Sequence, residues 1–215
     1  MRADAARNRR LLLDAAAAEL AEHGTEVSIA RIAARAGIGK GTVFRHFATK
    51  EQLLLAIFSD QLDTLAASGE ALLGRQDAGD TALGEGVDGG RPDWGAALLE
   101  FMAAAVELQL SDRSFCQAIT VTTRQDPVVR AAGDRLVAVA EALTARARQD
   151  GSVRGDVTGP DIVLLINAVT QATVPLGDAA PGLWRRYLSM IFDGLRPEAA
   201  HPLPVPAPHS LAPGG

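Results

Sequence analysis

The sequence predicts an all-α fold of about nine helices, a small three-helix domain at the N-terminus followed by a larger helical domain. Three observations predict it. Hydrophobic residues make up 47% of the 215 and aromatics only 4%, and they come in Ala/Leu stretches without the Val/Ile/Thr alternation of strands. Apolar residues recur at three- and four-residue spacing in segment after segment. Between these segments stand residues that begin and end helices: Ser28, Thr49, Ser111 and Thr158 at starts, Gly24, Gly37 and Gly151 at stops.

In the first element, Leu12, Leu13, Ala16, Ala17 and Leu20 line one face of a helix that stops at Gly24. Ser28 caps a second, in which Ile29, Ile32, Ala33 and Ala36 repeat until Gly37, a residue able to take the positive φ of a sharp turn. Lys40 to Phe47 then makes two turns, with Val43 and Phe47 inward and Lys40, Thr42, Arg45 and His46 pointing elsewhere. Thr49 and Gln52 form a capping box at the head of a fourth helix carrying Leu53, Leu54, Ile57, Phe58, Leu62 and Leu65. Two short helices across a glycine turn, braced by a first helix, make a helix-turn-helix, here over residues 1–48.

The larger domain is expected over 49–196. Within it, residues 74–92 hold six glycines and four acids without periodicity and read as a mobile loop. Further helices start at Asp93 (Leu98, Leu99, Phe101, Met102, Val106), at Ser111 (Phe115, Ile119, Val121), at Asp126-Pro127, at Thr158 and after Pro181. The Pro-rich tail, 197–215, is expected to be disordered.

The net charge of -5 argues against a nucleic-acid binder until it is divided along the chain. Residues 1–50 carry nine Lys/Arg against five Asp/Glu, leaving a surplus of nine acids in residues 51–215. Such a chain approaches phosphate with its N-terminal part foremost. A single cysteine, Cys116, excludes an intramolecular disulfide and a cysteine-based zinc site, and fits a reducing cytoplasm. Leu11-Leu12-Leu13 is interrupted by Asp14 and Glu19, so no signal-peptide core forms, and no uncharged apolar run is long enough to span a membrane.

The stretch GIGKGTVFRHF, residues 37–47, joins the two readings. Gly39 and Gly41 let backbone N–H groups approach a phosphate, Lys40 and Arg45 suit guanine O6 and N7, and Thr42 and His46 suit backbone phosphates. The alternative is a helical hairpin with a solvated charged face, but Ala33, Gly37, Ile38 and Val43 occur where a helix-turn-helix needs small or apolar residues. The run VSIARIAARAGIGKGTVFRHFATKEQLLLAIF, residues 27–58, resembles the DNA-binding signature of the TetR family of bacterial regulators, in its AcrR-like branch. That resemblance implies a homodimeric repressor of operator DNA, often released by a small molecule. It places Lys40, Gly41 and Arg45 at bases, and Ser28, Thr42, Phe44, His46 and Lys50 at the DNA backbone. Position 44 is usually Tyr and position 39 often Ser in such proteins, so Phe44 and Gly39 each drop a phosphate contact.

In the larger domain, Ile162 to Val169, with Leu165 and Ile166 between them, is apolar nearly all round. Trp184, Leu188, Ile191 and Phe192 form a second stripe, so these two helices are expected to close a four-helix bundle with a second copy. Phe101, Met102, Phe115, Cys116, Thr120, Asn167 and Gln171 are the expected lining of a pocket for a small hydrophobic effector. A protein or peptide partner in place of that effector, or an activating role, is the alternative. The four histidines, His23, His46, His201 and His209, make no site, and no nucleophile or phosphate-loop motif occurs, so no catalytic residue, cofactor or metal is expected.

Overall fold

The computed structural model describes residues 2–24, 27–82, 93–111, 126–177 and 179–208. Among these lie eight α-helices and no strand: α1 (Arg2–His23), α2 (Ile29–Arg35), α3 (Lys40–His46), α4 (Lys50–Ala82), α5 (Trp94–Ser111), α6 (Pro127–Gln149), α7 (Gly159–Thr173) and α8 (Leu183–Gly194). The helix expected to follow Ser111 lies outside the described residues. Short 3-10 turns cover Val174–Leu176 and Pro197–Ala199. No described helix is long and apolar enough to cross a membrane.

The chain divides into two compact units, residues 1–64 with 108–134 and residues 65–107 with 135–215. The first holds an apolar core in which Leu12, Leu13, Ala16 and Leu20 of α1 meet Ile32 and Ala33 of α2, Val43 of α3, Phe47, and Leu53 and Ile57 of α4. A boundary at 48/49 cuts through this core, because the start of α4 supplies part of it. Local signals act where the sequence puts them. The Ser28 side chain accepts from the Arg31 N–H, and Gly37 turns the chain between α2 and α3 at a φ of +65°. Thr49 Oγ1 accepts from the Gln52 N–H at 3.1 Å, while the Gln52 side chain accepts from the Ala48 N–H at 2.9 Å, a capping box reaching one residue further back than expected.

In the second unit, α4 continues to Ala82, so residues 74–82, expected in a loop, are helical; residues 83–92 lie outside the described set. Gly74 and Gly79 each weaken a helix by about 1 kcal/mol but do not stop one that is already propagating, and no proline interrupts it before Ala82. Arg75 of α4 also donates to Glu100 of α5 at 3.0 Å. Gly69 admits a close crossing, since a Cβ there would meet Val139 Cγ1 at 2.5 Å and the Phe101 ring at 3.0 Å.

Thr158 and Asp161 close a capping box at the start of α7, and Gly159 lies against the backbone of Glu141 on α6. Helices α7 and α8 pack on each other. One expectation is corrected here: Ile162, Ile166, Val169, Trp184, Leu188 and Phe192, expected to face a second copy, are at most 7% exposed within the single chain. Leu165 and Ile191 are half-buried. Helical spacing identifies an apolar face and does not say what covers it. The outward sides carry other residues, with Leu164, Tyr187 and Met190 exposed by 48%, 43% and 57%. The tail is also ordered in part. Buried Arg154 donates to Asp156 and to the His201 carbonyl oxygen, which fixes the chain beyond the 3-10 turn at Pro197–Ala199; residues 209–215 lie outside the described set.

Candidate nucleic-acid interface

Helix α3 is a two-sided element of seven residues. Val43 is fully buried, and Phe47, its C-cap, is 6% exposed; together they fix the helix to the first unit's core. Lys40, Gly41, Phe44 and Arg45 are exposed, while Thr42 and His46 are half-buried. Lys40 Nζ stands 5.9 Å from the centre of the Phe44 ring, which holds the two side chains as one cationic, apolar surface. The His46 ring lies against Phe47 with centres 6.5 Å apart. Gly39 and Gly41 have no atom within 4 Å of where a Cβ would stand, so the backbone at the head of α3 is open. Ser28, at the head of α2, is exposed, and Lys50, the first residue of α4, is half-buried. All eight residues expected at DNA therefore lie on α3 or at the heads of α2 and α4.

Electrostatics separates Arg45 from three other arginines of this unit. Arg10 pairs with Asp14 at 2.9 Å and with Asp60 at 3.0 Å; Arg31 pairs with Glu19 at 2.6 Å, and Arg35 with Glu22 at 2.7 Å. Among the described residues Arg45 joins no ion pair. A count of basic residues along the chain misses this difference, because the carboxylate partners of Arg31 and Arg35 lie 12 to 16 residues away in sequence, on α1.

An exposed cation pair on a short glycine-headed helix, anchored by Val43 and Phe47 and braced by α1, α2 and α4, is a helix-turn-helix presenting its second helix. The pattern of bacterial regulatory proteins of the tetR family matches residues 12–57, and that of the SbtR-like transcriptional regulator C-terminal domain matches residues 93–197. A TetR transcription regulatory protein from Mycobacterium vanbaalenii is 30% identical, with 91% of this chain and 98% of that chain covered at a TM-score of 0.65. The chain belongs to the TetR family. A TetR regulator from Streptomyces coelicolor shares the fold at 22% identity and TM-score 0.65, covering 88% of this chain and 98% of that one. So does the regulator FadR from Bacillus subtilis, solved in complex with stearoyl-CoA, at 16% identity and TM-score 0.57, covering 89% and 99%.

This TetR-family protein is a DNA-binding transcriptional regulator. Its expected effector residues are more scattered than its expected DNA residues. Phe101 and Met102 on α5 are fully buried, Asn167 on α7 is half-buried, and Gln171 on α7 is exposed. Phe115, Cys116 and Thr120 lie outside the described residues.

Proposed function

We propose that this TetR-family regulator is a homodimeric repressor that reads its operator with α3 and leaves it when a small hydrophobic effector binds the second unit. The observation that carries the DNA reading is the exposed Lys40–Phe44–Arg45 surface, on which Arg45 joins no ion pair among the described residues while Arg31 and Arg35 are bound to carboxylates. Lys40, Gly41 and Arg45 take the bases; Ser28, Thr42, Phe44, His46 and Lys50 take or brace the DNA backbone. Two copies meet through the outward sides of α7 and α8, where Leu164, Tyr187 and Met190 are exposed. Dimerisation through these sides places two α3 helices on two half-sites.

The effector reading rests on the apolar side of α5, with Leu98, Phe101, Met102 and Val106 all buried, and on Asn167 as a polar group beside apolar neighbours on α7. Binding of stearoyl-CoA by the Bacillus subtilis FadR of the same fold supports a hydrophobic class of ligand. Repression and a cytoplasmic location are what the family leads one to expect. The test is a thermal-shift screen with acyl-CoA and steroid compounds, followed by titration of a hit with and without operator DNA. A ligand that binds only the folded chain raises the melting temperature, and operator must lower effector affinity by the factor by which effector lowers operator affinity. Equal effector affinity in the two titrations contradicts release by ligand.

A further inference from the structure

The two arginines of α2 are held by a carboxylate that the proposed contacts with DNA do not use. Glu19, on α1, is 5% exposed; its Oε2 accepts from Arg31 Nε at 2.6 Å and its Oε1 from Arg35 Nη1 at 3.2 Å. Arg35 Nη2 donates to Glu22 at 2.7 Å, and Arg31 Nη2 donates to His23 Nε2 at 2.7 Å. Arginine has no acceptor, so Nε2 of His23 receives the bond and Nδ1 carries the proton, aimed at the Glu19 carbonyl oxygen 3.3 Å away. A carboxylate this deeply buried persists as an anion because two guanidinium groups face it.

The same contacts turn both guanidinium groups toward α1. Arg31 and Arg35 are otherwise well placed for phosphate, with side chains 54% and 37% exposed. Arg31 stands on the first turn of α2, its backbone N–H bonded to the N-cap Ser28, a residue that the proposed function assigns to the DNA backbone.

We infer that Glu19 is a specificity-determining residue: it withholds Arg31 and Arg35 from phosphate and, by holding α2 on α1, leaves sequence reading to α3. This rests on the proposed reading of DNA by α3. Phosphate contacts raise affinity for every sequence alike, so two further arginines on the backbone would raise random binding without adding discrimination. Loss of the Glu19 charge therefore has two effects of opposite sign. The arginines are freed for any DNA, while α2, and α3 packed on it, lose the anchor that sets their position for the operator. A general loss of stability lowers both affinities together and cannot produce that divergence.

The test uses the full chain, a duplex recovered by selection from a random pool, and a random-sequence duplex of equal length. Each is titrated at two salt concentrations with wild type and Glu19→Gln, and helicity and melting are recorded for both proteins. Glu19→Gln is expected to remain folded, to bind the selected duplex about tenfold more weakly and the random duplex more tightly, with a salt dependence steeper by about one unit for each arginine that reaches a phosphate. An unchanged ratio of the two affinities, or a parallel fall in both, overturns the inference. If Glu19→Gln does not fold, Glu19→Asp is used, since it keeps the charge and draws it back by one methylene. Its random-duplex affinity should match wild type while its affinity for the selected duplex falls; an unchanged affinity for the selected duplex overturns the inference. A wild-type chain that selects no sequence fails the α3 reading itself, and the inference with it.

Discussion

Lys40 and Arg45 are the side chains on which base reading turns, and each has a distinct signature. Replacement of either by Ala should cost about 1–3 kcal/mol on the operator and relax preference at one base pair per half-site, measured by titrating single-base variants. Lys50→Ala should instead weaken all sequences about equally and flatten the salt dependence by about one unit per half-site contact. Phe44→Tyr restores a hydroxyl on a ring that is 43% exposed, so it should tighten operator and random DNA alike; a loss of binding would contradict the docking of α3. Acid should act through the α1–α2 cluster. Burial pushes the Glu19 carboxyl up, but hydrogen bonds from Arg35 and Arg31 outweigh it and hold it below 4.5; Glu22 is held low chiefly by its hydrogen bond from Arg35. Carboxyls held low when folded contribute stability that is present above their ordinary value and is lost as pH falls through the folded one. Wild type should therefore lose melting temperature progressively below about pH 4.5, and Glu19→Gln should lose less over that interval.

At the scale of elements, α7 is the most exacting. A Cβ at Gly159 would collide with the backbone of Glu141, which no rotamer change relieves, so Gly159→Ala should separate α7 from α6 and lower the melting temperature. Thr158→Ala should be milder, at about 0.5–2 kcal/mol, since it removes one half of the capping box; chemical denaturation distinguishes the two. What the sequence discloses follows the same division between local and non-local physics. The heads of α2, α3 and α7, the turn at Gly37 and the exposed residues of α3 are legible, because Ser28, Thr158 and the glycines act on their own turn. The extension of α4 to Ala82 is not legible, because glycines and acids resemble a loop when the helix running into them is ignored. Nor is the pairing of Arg31 and Arg35 with Glu19, which forms only once α1 and α2 lie side by side. The inward stripe Trp184–Leu188–Phe192 is visible as a stripe, yet it is already buried within its own chain.

For the whole molecule, that last distinction decides where a dimer can be broken. Leu164→Asp and Met190→Asp place charges on the outward sides of α7 and α8, and together they should yield a folded monomer by light scattering, with weakened operator binding. Phe192→Asp buries a charge within the chain and should lower the melting temperature before any effect on assembly is seen. A monomeric mass for wild type at micromolar concentration would contradict the dimer. If α3 of each copy reads one half of a symmetric site, as proposed, selection of duplexes from a random DNA pool by the full chain must show it. The predicted result is a two-fold symmetric sequence whose half-sites are centred about one helical turn apart, or a multiple of it, with preference lost at one position per half when Arg45→Ala is used. Retention of DNA with no sequence enriched, or an identical enriched site for wild type and Arg45→Ala, would contradict it.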